Sequence, residues 1–274
     1  MNEIIIKNLT KYYGKFKAVN NISLEIDKGK IIGFVGKNGA GKSTVIRCIM
    51  NMISPSHGSI KINKLDSIID SKDVKKVVSY IPSEASFYEN ITCNKLFKFA
   101  VQFTDSKMDE VIKLAKYFEL DINKKINELS LGNRKKVSLI LGFIKEADIM
   151  ILDEPTSGLD PLMQNKFFNY ILKEKAKGKT IFLSSHNLVE IEKYCDKVAV
   201  IKNGEIVDYF EMKEANYSKK QIINYITKDK KEGTIEVTDI NEAIKELASL
   251  NLESIDIKSS SVENEFTKYY EEEM

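Results

Sequence analysis

The chain has 274 residues, of which 43% are apolar and 30% charged, so it can bury a core and is not expected to be disordered. Its 42 basic and 40 acidic residues leave a formal net charge of +2, which gives little attraction for nucleic acid. Two histidines exclude a His-rich metal site, and the three cysteines lack metal-like spacing. Without a signal-peptide pattern or an apolar run of membrane-spanning length, we expect a cytoplasmic protein with one large domain or a large and a small one.

Short apolar runs alternate with helical patterns along much of the chain. Strands are predicted at Glu3–Asn8, Ser23–Asp27, Ile31–Val35, Val77–Ile81, Asp148–Asp153, Thr180–Ser184 and Lys197–Lys202. The last four are continuous apolar runs, which are typical of strands buried on both faces of a parallel sheet surrounded by helices. We therefore predict an α/β fold with a mainly parallel sheet and antiparallel strands at the N-terminus.

The strand pattern stops between Asn90 and Ala147. Helices are predicted there at Thr92–Phe103, Met108–Phe118 and Leu131–Lys145, because apolar residues recur at helical spacing. The sequence thus predicts an all-helical insert, residues 90–147, inside an α/β domain that covers residues 1–210.

The composition changes after Phe210. Glu211–Lys220 is polar and is predicted to be a linker. Strands at Thr234–Thr238 and Ser254–Lys258 alternate with helices at Ile240–Leu250 and Val262–Glu272. We therefore expect residues 211–274 to form a linker and a small β/α module.

A glycine-rich segment, Gly36–Thr44 (GKNGAGKST), joins the predicted strand ending at Val35 to a predicted helix. Glycines let backbone N–H groups turn toward an anion, and a helix N-terminus adds positive charge. Lys42 is placed to reach the β- and γ-phosphates, and the Ser43 hydroxyl to ligate Mg²⁺. The pattern predicts a phosphate-loop NTPase core whose ATP-binding residues are Gly36, Asn38, Gly39, Ala40, Gly41, Lys42, Ser43 and Thr44.

Two adjacent carboxylates, Asp153 and Glu154, end the predicted strand Asp148–Asp153. Such a pair is costly to bury unless a cation lies beside it. Asp153 suits the Mg²⁺ shell, and Glu154 suits the general base that deprotonates a water. Alone the pair would indicate only a turn, but with the phosphate loop it predicts ATP hydrolysis with Lys42 and Glu154 as catalytic residues.

Five further segments, taken along the chain, resemble motifs of the ATP-binding cassette (ABC) ATPases over Met1–Phe210. They are an aromatic loop, a signature loop, an acidic motif, a loop linking two nucleotide sites and a switch-histidine segment: Tyr13–Gly14, Leu129–Asn133, Ile151–Pro155, Ser157–Asp160 and Ser184–His186. The resemblance implies that Tyr13 stacks on adenine, although Tyr12 is a rival and a plain surface aromatic is the alternative. It also implies that His186 contacts the γ-phosphate and positions Glu154, the alternative being a helix-capping or surface histidine.

The signature loop implies a second subunit. Ser130 can cap the helix that begins near Gly132, which exposes N–H groups to an anion. In the family this surface completes the ATP site of another subunit, so Ser130 and Gly132 are expected to bind ATP across a head-to-tail homodimer or heterodimer.

The chain departs from the family pattern at two loops. The segment Pro82–Glu84 follows the predicted strand Val77–Ile81, where the family carries a glutamine that senses Mg²⁺ and contacts the membrane partner, so Ser83 or Glu84 must stand in. Leu131 replaces a glycine and Asn133 a glutamine in the signature loop. The departures imply slow hydrolysis or pairing with a different subunit.

Glu84, the stretch Phe87–Thr92 and the segment Ser260–Tyr269 resemble the ATPases of drug- and peptide-exporting systems. The resemblance implies a peripheral ATPase at the inner face of the cell membrane, bound to a separate transmembrane permease and powering export.

The alternative is an ABC-type ATPase acting on ribosomes or DNA. Such members carry two cassettes or a long coiled coil before the catalytic glutamate, and this sequence has neither. A phosphate-loop kinase is disfavoured, because such an enzyme gives no reason for the segments Leu129–Asn133 and Ser157–Asp160.

Overall fold

The computed structural model describes residues 2–212 and 221–259 of the chain. The chain separates into two compact units, Met1–Tyr209 and Phe210–Met274. The predicted helix Val262–Glu272, the segment Ser260–Tyr269 and residues 213–220 of the predicted linker lie outside the described residues.

The first unit contains an antiparallel sheet at its N-terminal end, in the order β2-β1-β4-β5. Its strands are β1 (Asn2–Tyr13), β2 (Phe16–Asp27), β4 (His57–Ile62) and β5 (Leu65–Asp66). β1 and β2 form a long hairpin in which Tyr13 lies opposite Phe16. The predicted antiparallel strands are confirmed but are longer than the apolar pattern indicated, because polar, exposed positions such as Lys17 continue the pairing.

A six-stranded sheet with the order β10-β9-β3-β8-β7-β6 forms the centre of the first unit. Its strands are β3 (Ile31–Val35), β6 (Val78–Ile81), β7 (Ile149–Asp153), β8 (Thr180–Ser185), β9 (Lys197–Lys202) and β10 (Glu205–Glu211). The strands from β9 to β6 run parallel, and every residue of β3, β7 and β8 is buried. Burial on both faces accounts for their continuous apolar sequences. Parallel pairing also brings the segments after Val35, Asp153 and Ser185 to one edge of the sheet.

Four helices accompany the two sheets: α1 (Lys42–Ile49), α2 (Ser71–Val77), α6 (Pro161–Ala176) and α7 (Leu188–Tyr194). Val45, Ile46, Cys48 and Ile49 of α1 share one core with side chains of both sheets. All three cysteines are free and buried. No helix in the described part of the chain is long and apolar enough to cross a membrane.

The segment between β6 and β7 is helical in the described chain, apart from an isolated bridge between Thr92 and Lys125. It contains α3 (Cys93–Ala100), α4 (Met108–Tyr117) and α5 (Leu131–Phe143), with short 3₁₀ turns at Val101–Phe103 and Ile126–Glu128. The Phe143 ring of α5 packs against Tyr170 of α6 with centroids 4.3 Å apart. This aromatic contact attaches the predicted helical insert to the α/β core.

In its described residues, the second unit contains a small antiparallel sheet and one helix. The elements are β11 (Gln221–Thr227), β12 (Glu232–Val237), α8 (Ile240–Leu247) and β13 (Leu252–Ser259), and the strand order is β12-β11-β13. Ile223, Ala243 and Leu247 form its core. β11 was not predicted from the sequence, because Gln221 and Asn224 interrupt its apolar residues next to a polar stretch.

Candidate nucleotide-binding site

The phosphate loop lies between β3 and α1, as the sequence predicts. Gly41 precedes α1 with φ +109°, a conformation that side chains rarely adopt, and a Cβ there would lie 2.8 Å from the Ala18 carbonyl oxygen. A Cβ on Gly36 would collide with the Ile201 carbonyl oxygen. Glycine at these positions therefore lets the backbone N–H groups at the start of α1 open onto a ligand.

A cavity of about 440 Å³ opens beside this loop. It is lined by Tyr13, Phe16, Ala18, Lys37, Asn38, Gly39, Gly41, Lys42, Ser43, Thr44, Ser83 and Glu154. Eight of these twelve residues are among the predicted site residues. The predicted residues that do not line the cavity are Gly36, Ala40, Ser130, Gly132, Asp153 and His186.

The aromatic wall of the cavity comes from the tip of the β1–β2 hairpin. Tyr13 lines the cavity and Tyr12 does not, which favours Tyr13 among the two predicted candidates. The Lys11 ammonium lies 5.4 Å from the centre of the Tyr13 ring. Phe16 is a second aromatic residue in the wall, 66% exposed, that the sequence analysis missed. The sequence feature that could have predicted Phe16 is the Gly14-Lys15 hairpin turn, because this turn places Phe16 opposite Tyr13.

Asp153 ends β7 with a carboxylate that is 1% exposed. Its Oδ1 accepts hydrogen bonds from the Ser43 hydroxyl at 3.2 Å and from the Ser184 hydroxyl at 2.7 Å. A buried carboxylate facing two neutral hydroxyl groups is the oxygen-rich set that Mg²⁺ prefers. Ser43 and Asp153 therefore fit the predicted metal site, and Ser184 is an additional residue that the sequence analysis did not single out.

Glu154 has an uncommon backbone for a residue other than glycine, with φ +46°. Its N–H donates to the Ser184 hydroxyl at 3.0 Å, which holds the turn after β7 against β8. Carboxylate atom Oε2 lies 2.8 Å from His186 Nδ1. Oε1 is buried, has no hydrogen-bond partner among the described residues, and lies 3.3 Å from Lys42 Nζ. One oxygen of the Glu154 carboxylate therefore forms an ion pair with Lys42, and the other contacts His186.

Lys42 is 5% exposed at the first position of α1. Its ammonium donates to the carbonyl oxygens of Gly36 at 2.6 Å and Lys37 at 3.3 Å. These contacts, together with Glu154, hold the cation at the floor of the phosphate loop. The structure thus places Lys42, Ser43, Asp153 and Glu154 within one small region.

The predicted signature residues lie elsewhere in the chain. The Ser130 hydroxyl accepts from the Asn133 N–H at 3.3 Å and caps α5, as the sequence predicts. Gly132 packs so closely on the loop Ser157–Asp160 that a Cβ would lie 2.9 Å from the Gly158 carbonyl oxygen. Leu131 is 73% exposed. The signature residues Ser130, Leu131 and Gly132 therefore do not line the nucleotide cavity of the same chain.

A buried carboxylate on α7 links two of the site loops. Glu190 Oε2 accepts from the Thr156 hydroxyl at 3.0 Å and the Ser185 hydroxyl at 3.2 Å. Burial raises the pKa of Glu190, and the two hydroxyl hydrogen bonds oppose that rise. The network ties the segment after Glu154 to the segment before His186. This network was not predicted from the sequence, because its residues lie on different elements.

Comparison with known proteins gives concordant matches. Residues 19–157 match the family model described as ABC transporter. The uncharacterized ABC transporter ATP-binding protein MJ1023 of Methanocaldococcus jannaschii is 36% identical over 218 residues, which cover 77% of this chain and 79% of that protein. The bacitracin transport ATP-binding protein BcrA of Bacillus licheniformis is 32% identical over 73% of this chain and 67% of its own length. A solved structure of an ATP binding subunit of an ABC transporter is 28% identical, with a TM-score of 0.71 over 76% of this chain and 89% of that one.

Proposed function

The chain belongs to the ABC transporter family as an ATP-hydrolysing, ATP-binding subunit, and we propose that it powers export through a separate membrane-spanning protein. The observation that carries the proposal is the position of Glu154 between Lys42 and His186 at the edge of the cavity. The similarity to a bacitracin transport protein supports export. We assign the ATPase machinery to the unit Met1–Tyr209.

The proposed chemistry follows from these contacts. The phosphate-loop N–H groups and the Lys42 ammonium hold the triphosphate and stabilise charge on the transferring γ-phosphoryl group. Mg²⁺, held by Ser43 and Asp153, would supply neutralising charge at the phosphate oxygens. The attacking water bonds to the γ-phosphorus while the bond to the bridging oxygen breaks and ADP leaves, and the Glu154 carboxylate accepts the proton of that water. His186 fixes the orientation of the Glu154 carboxylate.

We further propose that the active unit is a head-to-tail dimer, of identical or different ATPase chains. Ser130 and Gly132 are absent from the cavity of their own chain. The capped start of α5 nevertheless presents an exposed residue, Leu131, beside N–H groups suited to an anion. A second chain's nucleotide is the ligand that this surface fits in the family arrangement.

Replacing Tyr13 by alanine should weaken ATP binding by about 1–3 kcal/mol, because one stacking face of the adenine pocket is lost. The preference for adenine over other bases should fall with it. Binding of ATP and of other nucleotides, measured by titration calorimetry, tests this. Tyr12→Ala is the matched control, since Tyr12 lies next in sequence but outside the cavity. If Tyr12→Ala loses ATP affinity and Tyr13→Ala does not, Tyr12 is the residue that stacks on adenine.

The proposed docking site for the membrane protein is the loop Ser83–Tyr88 after β6. Ser83–Ser86 line a second cavity, of about 270 Å³, together with α5 residues. Tyr88 is 81% exposed, whereas Phe87 is half-buried. Tyr88 is therefore the aromatic side chain of this loop that is more available to a partner, and tyrosine is enriched among the residues that contribute most to interface energies.

Tyr88→Ala should weaken the membrane association by about 2 kcal/mol, and Glu84→Lys should weaken it as well, while ATP affinity stays unchanged. Co-purification of the tagged chain with detergent-solubilised membranes measures the association, and calorimetry measures the ATP affinity. Tyr12→Ala, another exposed tyrosine, serves as control for loss of a surface aromatic. Recovery of the chain with ribosomes or DNA and none in the membrane fraction would contradict the transport role and leave the ATPase role standing.

A further inference from the structure

Lys135, on the second turn of α5, is a buried cation without a part in the hydrolysis steps above. The residue is 7% exposed. Its Nζ donates to the main-chain carbonyl oxygens of Pro82 at 3.0 Å and Ser83 at 2.9 Å. A single side chain of α5 therefore binds two consecutive peptide groups of the loop that follows β6.

Burial makes the charged form of Lys135 less favourable. Burial lowers the pKa of Lys135 to about 8, while the carboxylates of Asp153, Glu154 and Glu84 oppose this shift. A lysine buried this deeply is destabilising unless its ammonium is hydrogen-bonded. The two loop carbonyl groups supply those hydrogen bonds.

The loop and the helix that Lys135 connects belong to different parts of the site. Ser83 lines the nucleotide cavity, whereas α5 starts at the signature loop, where Gly132 packs on the Gly158 carbonyl group. Lys135 thus makes a direct contact between a wall of the chain's own cavity and the helix that carries the signature loop.

We propose that Lys135 is a positioning residue that fastens the Pro82–Ser83 segment to α5, so that the cavity wall and the signature loop move as one body. The fastening follows from the hydrogen bonds themselves, and its consequence for turnover rests on the proposed ATPase function. Ser83 and Glu84 occupy the positions where the family carries a glutamine. Because Lys135 binds main-chain carbonyl groups, its hydrogen bonds to this loop do not depend on the side chains at those positions.

The neighbouring Lys136 supplies a matched control. It is also buried on α5, 9% exposed, but its Nζ donates to the Glu119 carbonyl oxygen at 3.5 Å and not to the loop. Lys135→Met and Lys136→Met therefore remove the same charge from adjacent buried positions. Lys135→Arg keeps a cationic donor and tests whether charge and hydrogen bonding, rather than packing, are required.

Hydrogen exchange of peptides covering residues 83–90 tests the fastening without reference to ATP hydrolysis. We expect exchange in Lys135→Met to rise about tenfold in this loop, with Lys136→Met close to wild type and Lys135→Arg intermediate. Unchanged exchange in Lys135→Met would overturn the proposal. If Lys135→Met fails to fold, Lys135→Gln decides by the same measurement, because it removes the ammonium and shortens the side chain, and unchanged exchange in it would equally overturn the proposal.

Measuring kcat of the wild type and of the variants distinguishes a failure of this proposal from a failure of the proposed ATPase function. Misplacing a wall of the site by a fraction of an ångström should lower kcat about tenfold or more while the ATP dissociation constant changes less than about threefold. Lys136→Met should retain the wild-type kcat. A Lys135→Met enzyme with full kcat overturns the proposal, whereas a wild-type chain without ATPase activity overturns the proposed function and leaves hydrogen exchange to decide on Lys135.

Discussion

Lys42→Ala is expected to abolish measurable ATP binding. The ammonium of Lys42 lies at the floor of the phosphate loop, where it offsets negative charge on the phosphates. Losing such a preorganised electrostatic contact costs on the order of 3 kcal/mol, which corresponds to more than a hundredfold in the dissociation constant. The substitution also leaves Glu154 without its neighbouring cation, so the empty site becomes more negative.

Titration calorimetry with Mg-ATP measures this effect directly. Lys37→Ala is the control, because Lys37 lines the same cavity but is exposed to solvent. An exposed charge of that kind should contribute at most about 1 kcal/mol. Wild-type affinity in Lys42→Ala would reject the assignment of Gly36–Thr44 as the phosphate-binding loop.

Glu154→Gln is expected to keep ATP binding and to lose turnover by about 10²–10⁴-fold, since an amide cannot accept a proton from water. The amide has the same shape as the carboxyl group and can still contact His186, so the site geometry should persist. With ATP bound and not hydrolysed, the proposed head-to-tail dimer should accumulate.

Gel filtration with Mg-ATP and a phosphate-release assay test both parts. Glu192→Gln is the control, because it makes the same change at an exposed position on α7, the helix after His186. Full ATPase activity in Glu154→Gln would eliminate Glu154 as the general base. A variant that binds ATP and stays monomeric would count against the dimer alone.

The central strands and the phosphate loop were predictable because their signals are local. β3, β7 and β8 are continuous apolar runs, and Gly36–Thr44 has its loop and helix chemistry in consecutive residues. The antiparallel strands were found but underestimated in length. α6 was not predicted, although Met163, Phe167, Phe168 and Ile171 are buried at helical spacing within it.

The rest of the site depends on which strands become neighbours. Ser184 reaches Asp153 only because β8 pairs with β7, and the pairing of Asp153 with Ser184 is a property of the sheet register. Phe16 enters the cavity because the β1–β2 hairpin folds back. The hydrogen bonds from Lys135 to the carbonyl oxygens of Pro82 and Ser83 join residues that are 53 and 52 positions apart in the sequence. The contacts of Ser184 and of Lys135 join residues from distant segments, so no single segment of the sequence predicts them.

The central claim is that this chain hydrolyses Mg-ATP with Glu154, in a site that a second chain completes. The most direct measurement is phosphate release per chain by wild type and Glu154→Gln over a range of protein concentrations. We predict slow, Mg²⁺-dependent release by the wild type, with a rate per chain that rises as dimers form, and only background release by Glu154→Gln. Equal release by the two proteins, or no wild-type release above background at any concentration, would contradict the account.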